Sequence, residues 1–322
     1  MSRVVYVALQ QFCESDAEPQ RVLQEAGFEI RTNALERRLR REDMPSELRG
    51  ADAVIAGVES YDAGLLASLS RLRCISRCGV GTDTIDLEAA RRLGIAVYTT
   101  PHEVVEPVAE LTVTMMLALA RNVPQHLREL HGGRWVKHTG VLLSEWTVGL
   151  VGFGRIGQAV ERLLRPFGPR VLAADPRLAP ADLPPGVSLR TLHALLAEAD
   201  VVSLHAARRP EDGPLVGPAE VWAMKPGARL INTSRGYVID EAAVEAALRA
   251  GRLAGAALDV FTDEPYAGPL ARLPNVLCTP HIATLTRASR AAMERRAAAQ
   301  VVQHFLAARS PMAAAATASA GR

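Results

Sequence analysis

The chain contains few cysteines, four among 322 residues. Their spacing matches neither a zinc site nor the disulfide framework of a small secreted domain. These cysteines are Cys13, Cys74, Cys78 and Cys278. Reduced thiols in a cytoplasmic protein are the simplest interpretation, and the sequence predicts no metal site.

Aromatic residues are also scarce, at 4% of the sequence. A chain so poor in Phe, Trp and Tyr is not expected to bind nucleic acid by stacking on bases. The formal net charge is only +2, so neither a polyanion-binding surface nor an acidic tail is indicated. No apolar run is long enough to cross a bilayer, and the first residues do not resemble a signal peptide. We therefore expect a cytoplasmic protein with neither a membrane nor a nucleic-acid partner.

Strands and helices alternate along most of the sequence, which predicts an α/β fold with parallel sheets. The length of 322 residues suits about two domains. Residues 3–98 are predicted to form one sheet of about five strands. Six further strands are predicted at 147–151, 170–174, 201–204, 229–232, 256–259 and 276–278. Helices are predicted at 103–121, 156–167, 191–197 and 240–250.

The most informative stretch is 147–157, T-V-G-L-V-G-F-G-R-I-G, in which an apolar run is followed by three glycines. This pattern between a strand and a helix is typical of a dinucleotide-binding turn. Gly152 allows the tight turn, and Gly154 has no side chain to obstruct a pyrophosphate. Gly157 lets the helix lie close to the strand. The helix N-terminus then offers free N–H groups to the phosphates.

An acid, Asp175, closes the next apolar run 18 residues beyond Gly157. A carboxylate at this place accepts a hydrogen bond from the ribose 2′-hydroxyl and repels a 2′-phosphate, which favours NAD over NADP. Arg177, two residues further on, weakens this preference.

Three ionisable residues follow the last three predicted strands: Arg235, Glu264 and His281. Ligands of parallel sheets bind at the carboxyl ends of the strands, so we expect these side chains at one edge. Arginine can bind a carboxylate with two N–H donors and polarise the adjacent carbonyl. Histidine can supply a proton, and a neighbouring carboxylate fixes its tautomer. Together they suit the reduction of a 2-oxo acid by hydride transfer.

Two other polar residues at strand ends allow two interpretations each. Asp259 either contacts the nicotinamide amide or holds a loop, and we favour the cofactor contact. His205 either faces the cofactor or is a satisfied residue of the core.

The sequence resembles the D-isomer-specific 2-hydroxyacid dehydrogenases, in particular their phosphoglycerate dehydrogenase-like branch. The matching motifs are R-C-G-V-G-T-D-T-I-D (77–86), V-A-E-L-T (108–112), G-L-V-G-F-G-R-I-G (149–157), I-N-T-S-R-G (231–236), A-L-D-V-F-T-D-E-P (257–265) and T-P-H-I-A (279–283). The resemblance implies a Rossmann NAD-binding domain, 100–284, inserted into a flavodoxin-like substrate domain, 1–99 plus 285–310. Residues 311–322 are expected to form a disordered tail.

The resemblance also implies roles for individual residues. Arg235, Glu264 and His281 match the catalytic Arg, Glu and His of the family. The cofactor contacts it implies are Arg155, Ile156, Asp175, Thr233, Asp259 and His281, beside the glycines. The loop that it implies for the substrate carboxylate is Cys78, Gly79, Val80 and Gly81. Members of the family usually work as homodimers or larger assemblies, so a homodimer is expected.

The loop after the third strand differs from the phosphoglycerate dehydrogenase pattern. Where those enzymes carry a basic residue, this sequence reads G-V-E-S-Y-D, with Glu59 and Asp62. A carboxylate should repel a substrate phosphate, so an unphosphorylated substrate is expected, with Glu59 and Ser60 contributing to its choice. Arg208 and Arg209 stand where the family usually has a Pro-Leu-Thr-like run. They are either positive charges on the cofactor or substrate side or simply surface charge, and we favour surface charge. Because the sequence ends near 322, we expect no C-terminal regulatory domain of the kind that some phosphoglycerate dehydrogenases carry.

The sequence therefore predicts an NAD-dependent dehydrogenase that interconverts a small 2-oxo acid and its (R)-2-hydroxy acid. Two alternatives stay open. One is an NAD(H)-sensing, corepressor-like binding protein, because such relatives can keep the catalytic residues. The other is a dehydrogenase of a different small anion, such as phosphite.

Overall fold

The computed structural model describes residues 2–35, 37–206 and 210–307. They divide into two compact units. The first contains the chain up to Val104 together with the segment that begins at Thr284, and the second contains Val105–Ala283. The expected disordered tail at 311–322, and Arg208 and Arg209, lie outside the described residues.

The first unit is built on a five-stranded parallel sheet. Its strands are β1 (Arg3–Val7), β2 (Phe28–Thr32), β3 (Ala53–Ala56), β4 (Cys74–Arg77) and β5 (Ala96–Tyr98). Their order, β2-β1-β3-β4-β5, is that of flavodoxin-like sheets. The central strand β3 is buried on both faces, as its A-V-I-A sequence predicts for a sheet covered on both sides.

Four short helices connect these strands: α1 (Glu18–Glu25), α2 (Met44–Glu47), α3 (Ala63–Ser68) and α4 (Leu87–Arg92). Two of them begin at an aspartate whose side chain accepts a hydrogen bond from the first turn. Asp62 accepts from the N–H of Leu65, and Asp86 accepts from the N–H of Ala89. One of the two acids in the loop after β3 thus serves as a helix cap.

The second unit contains a seven-stranded parallel sheet. Its strands are β6 (Thr147–Val151), β7 (Arg170–Ala174), β8 (Val187–Leu189), β9 (Val201–Leu204), β10 (Ala228–Asn232), β11 (Leu253–Leu258) and β12 (Val276–Cys278). The order is β12-β11-β10-β9-β6-β7-β8. Counted from β6, this is the 3-2-1-4-5-6 order of the Rossmann fold with one additional strand. The predicted fold class is confirmed for both units.

The prediction of six strands in this unit was wrong, because β8 was missed. This edge strand has only three half-buried residues, V-S-L, and follows a proline-rich segment. Three residues are too few to show a strand periodicity. The strands that carry Arg235, Glu264 and His281 are consequently the fifth, sixth and seventh of the sheet.

The helices of the second unit are α5 (Val105–Ala120), α6 (Val123–His131), α7 (Arg155–Leu164), α8 (Leu192–Glu198), α9 (Pro218–Ala223) and α10 (Glu241–Arg249). The long apolar helix is confirmed within two residues at each end. Helix α7 ends three residues before the predicted bound, because Pro166 belongs to a separate 3-10 turn at Arg165–Phe167. The six-residue α9 was not predicted from the sequence.

Alternate residues of the central strands enter two different hydrophobic clusters. On β7, Leu172 and Ala174 belong to one cluster, and Val171 and Ala173 belong to the other. The sheet is therefore covered on both faces.

The last helix, α11 (Arg287–Ala307), belongs to the first unit. Gln300 fixes it there, since its side chain accepts a hydrogen bond from Ser76 Oγ at 2.8 Å and donates one to the carbonyl of Thr99 at 2.9 Å. The first unit is therefore completed by a helix that follows the second unit in the sequence.

Candidate active site

The three glycines after β6 occupy three different environments. Gly152 has a φ of +86°, and a Cβ there would lie 2.7 Å from the backbone of His205. A Cβ on Gly157 would lie 2.4 Å from the carbonyl oxygen of Gly152, so α7 packs directly against the turn. Gly154 has an ordinary φ of −77°, and a Cβ there would meet no atom within 4 Å. The fold itself thus requires two of the glycines, whereas the third faces open space.

This open space has the chemistry of an anion site. Gly154 is the N-cap of α7 and brings no capping side chain. The first N–H groups of a helix, here those from Arg155 and Ile156 onward, have no partner within the helix and carry partial positive charge. A pyrophosphate is the group that such a glycine turn accommodates. The residues present therefore fit a dinucleotide.

Asp175 follows the end of β7 and is 7% exposed. Its carboxylate accepts a hydrogen bond from the N–H of Phe153 at 3.1 Å, which connects it to the glycine turn. The guanidinium of Arg177 also binds both oxygens, at 3.1 Å each. This guanidinium is the main reason that the pKa of Asp175 is lowered to about 2. The structure thus places Asp175 beside the glycine turn, as predicted. The guanidinium of Arg177 is bonded to its carboxylate.

His281 and Glu264 form a pair. The distance from His281 Nδ1 to Glu264 Oε2 is 2.9 Å. The other oxygen of Glu264 accepts a hydrogen bond from the N–H of Phe261 at 3.1 Å. The side chains are 36% and 27% exposed, so both are accessible to a ligand. His281 has a φ of +55°, a conformation that few residues other than glycine adopt without cost.

Asp259 holds this conformation of the His281 loop. Its carboxylate accepts hydrogen bonds from Thr279 Oγ1 at 2.6 Å, from the N–H of Ile282 at 2.8 Å and from that of Ala283 at 3.0 Å. Its own carbonyl oxygen accepts from the N–H of His281 at 2.8 Å. Asp259 is fully buried, and burial raises the pKa of its carboxyl group. These bonds perform the loop-holding role that was the less favoured interpretation, and the predicted cofactor contact stays a prediction.

Arg235 lies in the loop after β10, which Asn232 shapes. The Asn232 side chain accepts hydrogen bonds from the N–H and the hydroxyl of Ser234, at 3.0 and 2.8 Å, and donates one to the carbonyl of Arg235 at 2.8 Å. A Cβ on Gly236 would lie 1.9 Å from the carbonyl carbon of Phe261. The Arg235 loop therefore packs against the loop that carries Glu264.

Asn232 is a site residue that was missed from the sequence. The available signal was an asparagine two residues before a serine at a strand end, which is typical of an Asx turn. Such turns are common, so this signal alone does not indicate a functional residue.

Two further predicted cofactor residues have well-defined partners. The Thr112 hydroxyl donates to the carbonyl of Val108, so the hydroxyl of Thr233, 2.9 Å away, donates to Thr112. His205 Nε2 lies 2.9 Å from Ser203 Oγ. Desolvation lowers the pKa of His205 to about 4, so its ring is neutral near pH 7. These bonds agree with the core interpretation of His205 and leave its cofactor contact untested.

In the first unit, the predicted carboxylate-binding loop offers mainly backbone. The Gly79 N–H donates to Thr100 Oγ1 at 2.7 Å, and Gly79 has a φ of +137°. Cys78 is 8% exposed, and burial raises the pKa of its thiol to about 12, so this thiol is not a nucleophile near neutrality. The guanidinium of Arg77 donates to the Cys78 carbonyl at 3.0 Å. Val80 is exposed and Gly81 is partly exposed.

The loop after β3 differs from the expectation that its acids would face a substrate. Glu59 is only 4% exposed, and its carboxylate accepts a hydrogen bond from the N–H of Gly57 at 2.8 Å. Burial raises the pKa of this carboxyl group. Tyr61 is fully buried, whereas Ser60 is exposed. Arg38 donates to the Val58 carbonyl at 2.5 Å and brings a positive charge to the same loop. The sequence argument overlooked this cation because it lies 20 residues away in the chain.

Across the described residues, no group of three or more His, Cys, Asp or Glu side chains could hold a metal ion. Within the same ranges, no helix is both long and apolar enough to span a bilayer.

The Rossmann strand order and the glycine turn define the second unit as a dinucleotide-binding domain. Residues 113–283 match the family model described as "D-isomer specific 2-hydroxyacid dehydrogenase, NAD binding domain". The chain therefore belongs to the D-isomer specific 2-hydroxyacid dehydrogenase family, and its cofactor is NAD. The predicted family and cofactor are confirmed.

Similar proteins carry more than one name. A D-3-phosphoglycerate dehydrogenase from Archaeoglobus fulgidus is 37% identical over 84% of this chain and 53% of its own length. A glyoxylate reductase from Aeropyrum pernix is 37% identical over 81% of this chain and 82% of its own. The chain thus spans only about half the length of the phosphoglycerate dehydrogenase.

Solved structures show the same fold. The protein TT0316 from Thermus thermophilus is 37% identical, with a TM-score of 0.82 over 92% of this chain and 94% of that one. A D-lactate dehydrogenase from Aquifex aeolicus, solved with NAD and lactic acid, is 29% identical, with a TM-score of 0.80 over 94% and 95%.

Proposed function

We propose that the protein transfers hydride between NAD(H) and a small 2-oxo acid or its (R)-2-hydroxy acid. The observation that carries the proposal is the His281–Glu264 pair at 2.9 Å, at the carboxyl edge of the NAD-binding sheet. Arg235 follows the neighbouring strand β10, in a loop packed against the one that holds Glu264. An acid–base pair beside an arginine is what the reduction of a 2-oxo acid requires.

The assigned roles follow from the donor and acceptor geometry. Glu264 accepts at Nδ1 of His281, so the second ring nitrogen, Nε2, is the one that faces the substrate oxygen. In reduction, NADH held by this unit would supply the hydride for C2 of the 2-oxo acid. His281 then delivers the Nε2 proton to the carbonyl oxygen, which becomes the hydroxyl. In oxidation, the same nitrogen accepts the hydroxyl proton.

Arg235 is assigned to the substrate carboxylate. A guanidinium can donate two parallel hydrogen bonds to a carboxylate, and its positive charge polarises the adjacent C2 carbonyl. Asn232 keeps the backbone of Arg235 in place, so we assign it a positioning role. In the first unit, the backbone of residues 78–81 stays the predicted carboxylate-binding loop.

The substrate that we propose is unphosphorylated. The glyoxylate reductase from Aeropyrum pernix is matched over 82% of its length, against 53% for the phosphoglycerate dehydrogenase from Archaeoglobus fulgidus. Glu59 gives less support than the sequence suggested, because its carboxylate is turned onto its own loop. Since Arg38 brings a cation to that loop, a phosphorylated acid must be part of the test.

The test is NADH oxidation, followed at 340 nm, with glyoxylate, pyruvate, hydroxypyruvate and phosphohydroxypyruvate, together with chiral analysis of the product. We expect turnover with an unphosphorylated acid and an (R)-configured product where C2 is chiral. A higher kcat/KM with the phosphorylated acid would overturn the proposed substrate class. Tight NADH binding with no turnover of any acid, or NAD reduction by phosphite alone, would overturn the proposed activity.

We also propose that the protein is a homodimer formed through the segment 123–142. Several of its large apolar side chains are exposed, among them Trp135 at 81%, Leu142 at 64% and Leu130 at 57%. Contiguous exposed apolar side chains of this size are typical of protein interfaces. Light scattering coupled to size-exclusion chromatography tests this, with Trp135→Glu expected to shift the dimer toward monomer. A monomeric wild-type protein would refute the proposal.

A further inference from the structure

The cofactor site contains an ion pair that an NAD-specific site does not need. A lone carboxylate after β7 would suffice to bind the ribose 2′-hydroxyl and to repel a 2′-phosphate. Here Asp175 is covered by the guanidinium of Arg177, and both carboxylate oxygens are engaged at 3.1 Å. The carboxylate therefore does not present an uncompensated negative charge to a ligand.

The backbone of this turn keeps Arg177 within reach of the 2′-position. The N–H of Leu178 donates to the carbonyl of Asp175 at 3.3 Å, which closes a four-residue turn. Pro176 fixes the backbone inside this turn. The N–H of Arg177 also donates to the Asp175 carboxylate, at 3.1 Å. The Cα of Arg177 is thus held next to the carboxylate whatever its side chain does.

The two members of the pair differ in how firmly they are held. The Asp175 side chain is 3% exposed and also accepts a hydrogen bond from Phe153 N–H, so it keeps its orientation without the guanidinium. The Arg177 side chain is 81% exposed. Ion pairs with so exposed a member contribute little to stability. A ligand can therefore displace the guanidinium while the carboxylate stays in place.

We propose that Arg177 is a specificity-determining residue of the cofactor site, which lets this unit accept NADP(H) as well as NAD(H). When NAD binds, the guanidinium moves away from Asp175, and the carboxylate accepts a hydrogen bond from the ribose 2′-hydroxyl. With NADP, the guanidinium turns from Asp175 to the 2′-phosphate, which it can bind with two N–H donors. Its positive charge then offsets the repulsion between the 2′-phosphate and the Asp175 carboxylate.

The test uses two ligands that differ only by the 2′-phosphate, adenosine 5′-monophosphate and adenosine 2′,5′-bisphosphate. Calorimetric titration of the whole protein gives their dissociation constants without any turnover. Arg177→Ala should raise the ratio of the bisphosphate constant to the monophosphate constant by about tenfold. Arg177→Lys should raise it less, because lysine keeps the charge and loses the paired donors.

The matched control is Arg170→Ala. Arg170 begins the same strand β7 at its opposite end, is 53% exposed and pairs with Glu198 at 2.8 Å. Its removal takes away the same charge far from the carboxyl edge, so the ratio should not change. An unchanged ratio in Arg177→Ala, or an equal change in Arg170→Ala, would overturn the proposal. Displacement of the bisphosphate by NADH shows that the ligand is bound at the cofactor site, and failure of displacement would also count against it.

Discussion

Both units place a glycine loop after the end of a parallel strand, but the side chains around the two loops are used differently. In the second unit, Glu264 and His281 are partly exposed and bonded to each other. In the first unit, Glu59 is buried and bonded to its own loop, and residues 78–81 offer backbone groups. The partly exposed acid and base are therefore in the NAD-binding unit, where the proposed hydride transfer requires them.

The two loops also contain glycine for different reasons. Gly79 has a φ of +137°, so its backbone conformation by itself disfavours other residues. Gly154 has an ordinary φ, and no protein atom lies where its Cβ would be. The first glycine is therefore required by the fold, whereas for the second we propose that only the bound dinucleotide requires it. Substitutions can separate these two requirements.

The largest effect is expected for His281→Ala. Loss of the acid–base group should lower kcat/KM by about 10²- to 10⁴-fold with the best 2-oxo acid, because the carbonyl oxygen loses its proton donor. His193→Ala is the control, since His193 is an exposed histidine of α8. A variant at His281 that kept most of its turnover would contradict the mechanism and would remove the contrast between the two units.

The next-largest effect is expected in the pH dependence of the free energy of unfolding, through His205 of the second unit. The pKa of His205 is about 4 in the folded protein and about 6.5 when the chain is unfolded, so unfolding takes up a proton between these values. The stabilising contribution is fully present above pH 6.5 and is lost as the pH falls toward 4. It amounts to at most about 3 kcal/mol. Denaturant unfolding at pH 7 and pH 5 should show a smaller loss of stability in His205→Gln than in the wild type. Equal losses would show that the pKa of His205 is not lowered in the folded protein.

Gly79→Ala should destabilise the protein without any ligand present. The φ of +137° predicts a loss of about 1–3 kcal/mol in the free energy of unfolding, because residues other than glycine are strained there. The Arg77 side chain, whose Nη1 would lie 1.6 Å from the new Cβ, must also move aside. Thermal unfolding measures the loss. Unchanged stability would mean that the conformation of this loop is not fixed by the fold.

Gly154→Ala should have the opposite profile. No neighbour obstructs its Cβ, so the melting temperature of the ligand-free protein should stay that of the wild type. The affinity for NADH should fall by about tenfold, because the added methyl group occupies the pyrophosphate position. NADH fluorescence titration measures this. Wild-type affinity in the variant would place the pyrophosphate elsewhere.

The smallest effect is expected for Glu59→Gln. The carboxylate is buried and faces Gly57, so its replacement should change the preference between phosphorylated and unphosphorylated acids by less than about threefold. Relative kcat/KM values for hydroxypyruvate and phosphohydroxypyruvate test this. A large increase in kcat/KM with the phosphorylated acid would show that Glu59 repels the substrate phosphate, as the sequence suggested. A side chain of the first unit would then act on the substrate, as is proposed for the second unit.

Local signals predicted the parts of the molecule whose cause is local. The glycine turn follows from backbone conformation and close packing at Gly152 and Gly157, and both requirements are visible in the sequence. The strand β8 and the helix α9 were missed because they are short and are formed by contacts with their neighbours. Asn232 was missed for a similar reason, since its importance depends on the loop that it shapes.

The α/β class, the dinucleotide turn and the candidate residues Arg235, Glu264 and His281 could all be predicted from the sequence, because strand ends and glycine spacing can be counted along the chain. For Asp259, five residues before Glu264, the sequence left a cofactor contact and a loop-holding role open. The folded chain shows how the surroundings of the two acids differ: Asp259 is buried under donors from 279–283, whereas Glu264 is partly exposed and faces His281. These surroundings could not be predicted, because the burial and the hydrogen-bond donors of a carboxylate depend on residues that are distant in the sequence. For Asp259 the donors come from the loop that follows another strand, β12.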